Sequence, residues 1–161
     1  MSQTVLNKMI AYFGSDVPRI NHALKVYGFA QAIAAAEGLD AWQTRIVELT
    51  ALLHDVGIPA AERKFGSAAG PYQEQEGPPI AREILKEANV LETVIDRVCF
   101  IIGHHHTYSA VDGTDFQIII EADFLVNAFE GGMERPAIES VGEKCFRTAA
   151  GRELLAALYL Q

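Results

Sequence analysis

Apolar residues recur at steps of three and four along most of the chain, and no stretch alternates with period two for long enough to make a sheet. The pattern predicts an all-α protein. Helices are expected over about 3–13, 17–37, 40–56, 78–87, 89–105, 115–130 and 148–159, with shorter pieces near 60–65 and 134–146. Gly14, Gly38 and Gly57 follow periodic runs as C-terminal caps do, while Pro18 and Pro78 stand where helices begin. Pro59, two residues past Gly57, keeps that helix from resuming. The segment Phe65 to Pro79 (FGSAAGPYQEQEGPP) has no clear period and reads as a long loop, either a functional lid or mobile.

Composition narrows the class without naming a substrate. With 161 residues, 50% apolar and 21% charged, the chain suits one globular domain over 1–161 and is too hydrophobic for a disordered segment. A net charge of −8 argues against nonspecific binding to nucleic-acid polymers or anionic membranes. Cys99 and Cys145 are far apart and lack CxxC spacing, so they read as reduced core thiols. The N-terminus has no signal-peptide pattern and no apolar run reaches the length of a membrane span, which makes a cytoplasmic location the expectation. The C-terminal FRTAAGRELLAALYLQ reads as an amphipathic helix that closes the bundle or forms a dimer surface, so both a monomer and a homodimer are open.

The chemical signal lies in polar residues on apolar faces. His22 lines up with Val26, Phe29 and Ile33 at steps of four, three and four, which turns its imidazole inward. Val47, Ala51 and His54 form a similar stripe, with Asp55 next in sequence. Ile119, Asp123 and Val126 place a carboxylate within the apolar face of IIIEADFLV, and an uncompensated buried carboxylate costs several kcal/mol. The apolar face Ile95, Val98, Ile102 runs on to His105 within Gly103-His104-His105-His106. Each has an ordinary structural reading as a hydrogen-bonded core residue, a helix cap or half of an ion pair. One divalent metal satisfies most of them together. Imidazole and carboxylate without thiolate suit Fe, Mn, Ni, Co or Zn.

The order His22, His54-Asp55, Asp123 resembles the HD-domain superfamily of metal-dependent phosphohydrolases, named for its adjacent His-Asp pair. PRINHALKVYGFAQAIA is similar to the helix carrying the first histidine, ALLHDVGI to the motif helix, and EADFLVN to the segment of the last aspartate. GPPIAREIL and IIGHHH resemble intervening stretches, so the likeness runs over roughly residues 17 to 130. The resemblance implies a helical bundle in which His22, His54, Asp55 and Asp123 hold one metal. A second ion, where relatives have one, shares the motif aspartate and takes further histidines; His105 fits one of these, with His104 or His106 beside it. Where such relatives carry an earlier histidine this chain has Gln73-Glu74-Gln75-Glu76, and Glu76 or Glu74 offers an oxygen ligand instead.

Ile58 stands where several hydrolytic relatives place a lysine, which leaves Arg19, Arg63 and Lys64 as candidate phosphate-binding cations. The implied reaction is hydrolysis of a phosphate ester of a nucleotide or another small phosphorylated metabolite. In it Asp55 ligates metal and orients water, and Glu62, Glu74 and Glu76 are candidate proton-transfer groups. Two rivals stand beside it. A few proteins resembling this superfamily are two-iron oxygenases, and an HD-like domain can bind a nucleotide without turnover.

Overall fold

The computed structural model describes residues 2–161, and the described residues are helical, joined by short turns with no strand. The helices are α1 (Ser2–Phe13), α2 (Val17–Ala36), α3 (Ala41–Leu53), α4 (Ile58–Phe65), α5 (Gly70–Glu87), α6 (Glu92–Ile102), α7 (Thr114–Glu130), α8 (Arg135–Cys145) and α9 (Ala149–Tyr159). A single 3₁₀ turn, Tyr108–Ala110, lies between α6 and α7. No described helix is long and apolar enough to cross a membrane.

Local signals account for most boundaries. Asp16 caps α2 by accepting from the backbone N–H of Arg19, with Pro18 in the first turn. Asp40 and Gln43 cap α3 reciprocally, satisfying two backbone N–H groups at once. Gly38 ends α2 with a left-handed φ of 71°, a conformation that costs other residues more. Helices α2, α3 and α7 pack on one another at the centre, with α6 against α3 and α5 against α6. One apolar cluster runs through them, with Val26, Ile33, Leu49, Leu53, Ile102 and Ile119 among its fully buried members.

The segment read as a loop is the main departure. Helix α5 begins at Gly70, takes Pro71 in its first turn, and continues through Pro78 and Pro79 rather than starting at Pro78. Its buried positions Gln73, Glu76, Gly77, Ala81, Ile84 and Leu85 keep helical spacing, but three of them are polar or glycine, which hides the period in the sequence.

Gly57 likewise does not cap α3. That helix ends at Leu53, and Gly57 has ordinary helical φ at the start of α4, where Pro59 sits in the first turn. Its missing side chain serves a close approach instead. A Cβ there would lie 2.6 Å from Gln73 O and 2.8 Å from Gly77 N, so α5 crosses the α3–α4 turn backbone to backbone. The helix expected over 89–105 stops at Ile102, which leaves Gly103 to His106 as a turn. Of the two free thiols, Cys99 is buried whereas Cys145 is half-buried.

Candidate metal centre

Three helices bring their inward polar residues to one point. His22 comes from the first turns of α2, His54 and Asp55 from the turn that ends α3, and Asp123 from the middle of α7. His22 Nε2 lies 3.2 Å from His54 Nε2, 3.1 Å from Asp123 Oδ1 and 3.4 Å from Asp55 Oδ2. His54 Nε2 is 3.4 Å from both Asp55 Oδ2 and Asp123 Oδ1.

The tautomers follow from the partners. His54 Nδ1–H donates to Ala51 O at 2.8 Å, and His22 Nδ1 faces Glu130 Oε1 at 3.0 Å. Both Nδ1 atoms are therefore donors, and the neutral rings turn Nε2 lone pairs toward each other. Two such lone pairs at 3.2 Å repel unless a proton or a cation lies between them. Ions held by imidazole nitrogen and carboxylate oxygen at about 2.0–2.2 Å keep neighbouring donor atoms roughly 3.0–3.5 Å apart, which matches the four atoms here.

A second group adjoins the first through Asp55. His105 is buried, its Nδ1–H donates to Ile102 O at 2.8 Å, and its Nε2 has no hydrogen-bond partner. That orphan atom points at Asp55 Oδ1, 3.6 Å away and beyond hydrogen-bond range. His106 completes the group, within which donor atoms of Asp55, His105 and His106 lie within 4.8 Å of one another. His106 Nε2 donates to Gln73 Oε1 at 3.0 Å, and Gln73 in turn donates to Ala68 O, which fixes its amide and leaves His106 Nδ1 as the lone-pair atom. Both groups fit a divalent ion by donor type, the first also by its facing Nε2 atoms and the second by the buried His105 Nε2 without a partner.

Electrostatics in the metal-free cluster follow from burial opposed by close charges. Burial pushes the His54 imidazole down, but Asp55 and Asp123 outweigh it and hold His54 well above its ordinary value; His22 is raised in the same way by Asp123 and Asp55. Burial pushes the Asp55 carboxyl up, and His54 and His105 hold it well below the carboxylate range; Asp123 is lowered against the same burial by His22 and His54. Burial lowers His106, and the neighbouring His105 adds to the effect.

The other candidates fall elsewhere. His104 belongs to neither group: its Nδ1 lies 2.7 Å from Phe100 O and its ring packs on Phe100, because the turn after Ile102 directs His105 inward and His104 back along α6. His106 occupies the place beside His105. Glu76 is buried but outside both groups, paired with Lys64 at 2.7 Å. Glu74 clamps the histidine turn by accepting from His106 N at 3.0 Å and Thr107 Oγ1 at 2.8 Å. Arg19, one helical turn before His22, is held by Asp16 at 2.7 Å and Glu62 at 2.6 Å. Arg63 lies beside Tyr12, whose hydroxyl donates to Val56 O.

Two residues escaped the sequence reading. Glu130 orients His22, and Asn127 donates to Asp123 Oδ1 at 3.0 Å. Both lie on the Asp123 face of α7, at steps of four and three, and that spacing was their only signal.

The HD-domain family profile, described as HD domain, matches residues 19–140. The chain belongs to the HD-domain family. HD domains bind divalent metals, and the two side-chain groups above are where this one has the donors to do so. The fold is similar to the crystal structure of a predicted HD superfamily hydrolase from an uncultured Thermotogales bacterium, with a TM-score of 0.71 and 24% identity over 98% of this chain and 84% of that one. No curated protein matches the chain.

Proposed function

We propose that this HD domain is a metal-dependent phosphohydrolase acting on a phosphate ester of a nucleotide or another small phosphorylated metabolite. The observation that carries the reading is the position of Asp55, whose Oδ2 faces His22 and His54 while its Oδ1 faces the unpartnered Nε2 of His105. One carboxylate thus serves two sets of nitrogen donors, which suits one divalent transition ion with room for a second. A divalent ion there supplies a lowered pKa for coordinated water and charge neutralisation at a phosphoryl oxygen.

The protein's own part is to hold and orient. The carbonyls of Ala51 and Ile102 and the Glu130 carboxylate keep the Nδ1 protons of His54, His105 and His22, so each Nε2 is presented as a donor pair. Asp55 accepts a hydrogen bond from the attacking water and aims it at phosphorus. Arg19, braced by Asp16 and Glu62, offers its guanidinium to a phosphoryl oxygen.

The test is phosphate release by metal-reconstituted protein over a panel of nucleotides and sugar phosphates, with Asp55→Ala as control. Turnover should fall to background in the variant while far-UV circular dichroism keeps its helical signal. Retained turnover in the variant sinks the assignment. Iron-dependent oxygen uptake without phosphate release replaces it with the oxygenase reading, and tight nucleotide binding without either replaces it with a noncatalytic one.

A further inference from the structure

Helix α7, which carries Asp123, extends beyond the metal groups. Ile120 and Gln117 precede Asp123 on α7 by three and six residues, which at 3.6 residues per turn sets them about 60° and 120° around the helix from it. Toward the N-terminus of α7, Gln117 and Ile120 floor a separate cleft of about 250 Å³, walled by Tyr108 and by Lys144, Cys145 and Arg147 at and just past the end of α8. Tyr108 is two residues past His106, so cleft and metal groups share both a helix and a loop. From Asp123 to Ile120 and Gln117 the helix rises roughly 5–9 Å.

The cleft is cationic in a chain of net charge −8. Arg147 directs Nη1 at the carbonyls of Glu143 and Phe146, 3.3 and 3.0 Å away, and Nη2 at that of Lys144. Those neutral partners fix the guanidinium without cancelling its charge. Among the described residues neither the Lys144 ammonium nor the Arg147 guanidinium has a carboxylate within 4.0 Å, although the Arg147 backbone N–H donates to Glu121 Oε2 at 3.2 Å; the charged ends of Arg19, Lys64, Arg82 and Arg97 are all paired. Gln117 uses both amide hydrogens, on Glu121 Oε2 at 2.6 Å and Cys145 O at 2.8 Å, which leaves its Oε1 as an acceptor. The carbonyls of Glu143, Lys144 and Phe146 explain how Arg147 is held; among the described residues the Lys144 ammonium and the half-exposed Tyr108 hydroxyl have no hydrogen-bond partner.

We propose that this cleft is an anion subsite, receiving a second oxyanion of a substrate whose ester phosphate lies at the metal groups. The inference rests on the phosphohydrolase reading and narrows it to phosphate esters that carry another carboxylate or phosphate a short chain away. Lys144 supplies a mobile point charge, Arg147 a fixed one, and Tyr108 a hydroxyl donor at the boundary between the two sites.

The test compares kcat/KM of the metal-loaded protein for ω-carboxyalkyl phosphates and α,ω-alkane bisphosphates of two to six carbons with that for uncharged alkyl phosphates of equal length. The expected result is a preference for the doubly anionic esters that falls about fivefold in Lys144→Gln and returns in Lys144→Arg, the modest size reflecting an exposed charge. Whether carboxylate or phosphate gives the larger preference identifies the second group. A preference unchanged in Lys144→Gln, or none in the native protein, overturns the subsite and leaves the hydrolase reading intact. If no ester is hydrolysed, equilibrium binding of α,ω-alkane bisphosphonates against alkyl monophosphonates decides: selective weakening in Lys144→Gln keeps the anion site while the reaction falls, and equal binding removes both.

Discussion

Glu130 gives the sharpest handle on how the chain tunes its metal donors. Its Oε1 lies 3.0 Å from His22 Nδ1 and 3.2 Å from Lys25 Nζ, at the end of α7, 108 residues from His22 in sequence. Removing a partner that orients a ligating histidine costs about 10–100-fold in metal affinity, or about 1.4–2.8 kcal/mol. The Glu130 side chain is 33% exposed, so water can take over part of its role and the effect of Glu130→Ala belongs near the tenfold end. Glu130→Gln keeps an acceptor but not the charge and should fall between the alanine variant and the native protein. Lys25→Ala leaves the His22 contact in place and should shift affinity by less than about twofold. Competition for Zn²⁺ or Mn²⁺ against a chromophoric chelator measures all three. Equal dissociation constants for Glu130→Ala and the native protein would show that His22 is not positioned by this carboxylate, and the reasoning from tautomer to metal donor would fail with it.

Gly57→Ala should destabilise the fold by about 1–3 kcal/mol, because its Cβ would meet backbone atoms of Gln73 and Gly77 that have no rotamer to yield. A fall in Tm of roughly 2–12 °C is expected, and an unchanged Tm contradicts the close crossing. In metal-free protein, His22 and His54 are raised above the ordinary 6.5, so their stabilisation is complete below that pH and lost as pH climbs through the raised values. Asp55 and Asp123 are lowered below the ordinary 3.8, so theirs is present above that pH and lost only in stronger acid. Thermal melts of metal-free protein should therefore be most stable between about pH 4 and 6.5 and decline above it, and saturating metal should remove the alkaline decline. A metal-free Tm that rises from pH 6.5 to 9 contradicts the sign.

Much of the centre was legible because helical periodicity exposes a misplaced polar residue. His22, His54 and Asp123 each interrupt an apolar stripe, and those stripes face one another across α2, α3 and α7. The period gave no help where the chain leaves regular helix: in the turn Gly103 to His106 only tertiary packing decides that His105 and His106 enter the group while His104 lies on Phe100. Helix α5 was hidden for the opposite reason. Its core-facing positions include Gln73, Glu76 and Gly77, and two internal prolines imitate a helix start. Glu130 and the Lys144–Arg147 cleft depend on contacts between distant segments, which one-dimensional spacing does not carry.

The most direct measurement is the metal content per chain of tag-free protein by elemental analysis, before and after reconstitution, in the native chain and in His54→Ala. The account predicts at least one Fe, Mn, Co, Ni or Zn per chain in the native protein, lost on purification in His54→Ala, whose helical signal is unchanged. A native chain that retains none of these metals after reconstitution, or a variant that keeps them at native stoichiometry, contradicts the claim that His22, His54, Asp55 and Asp123 form a metal centre.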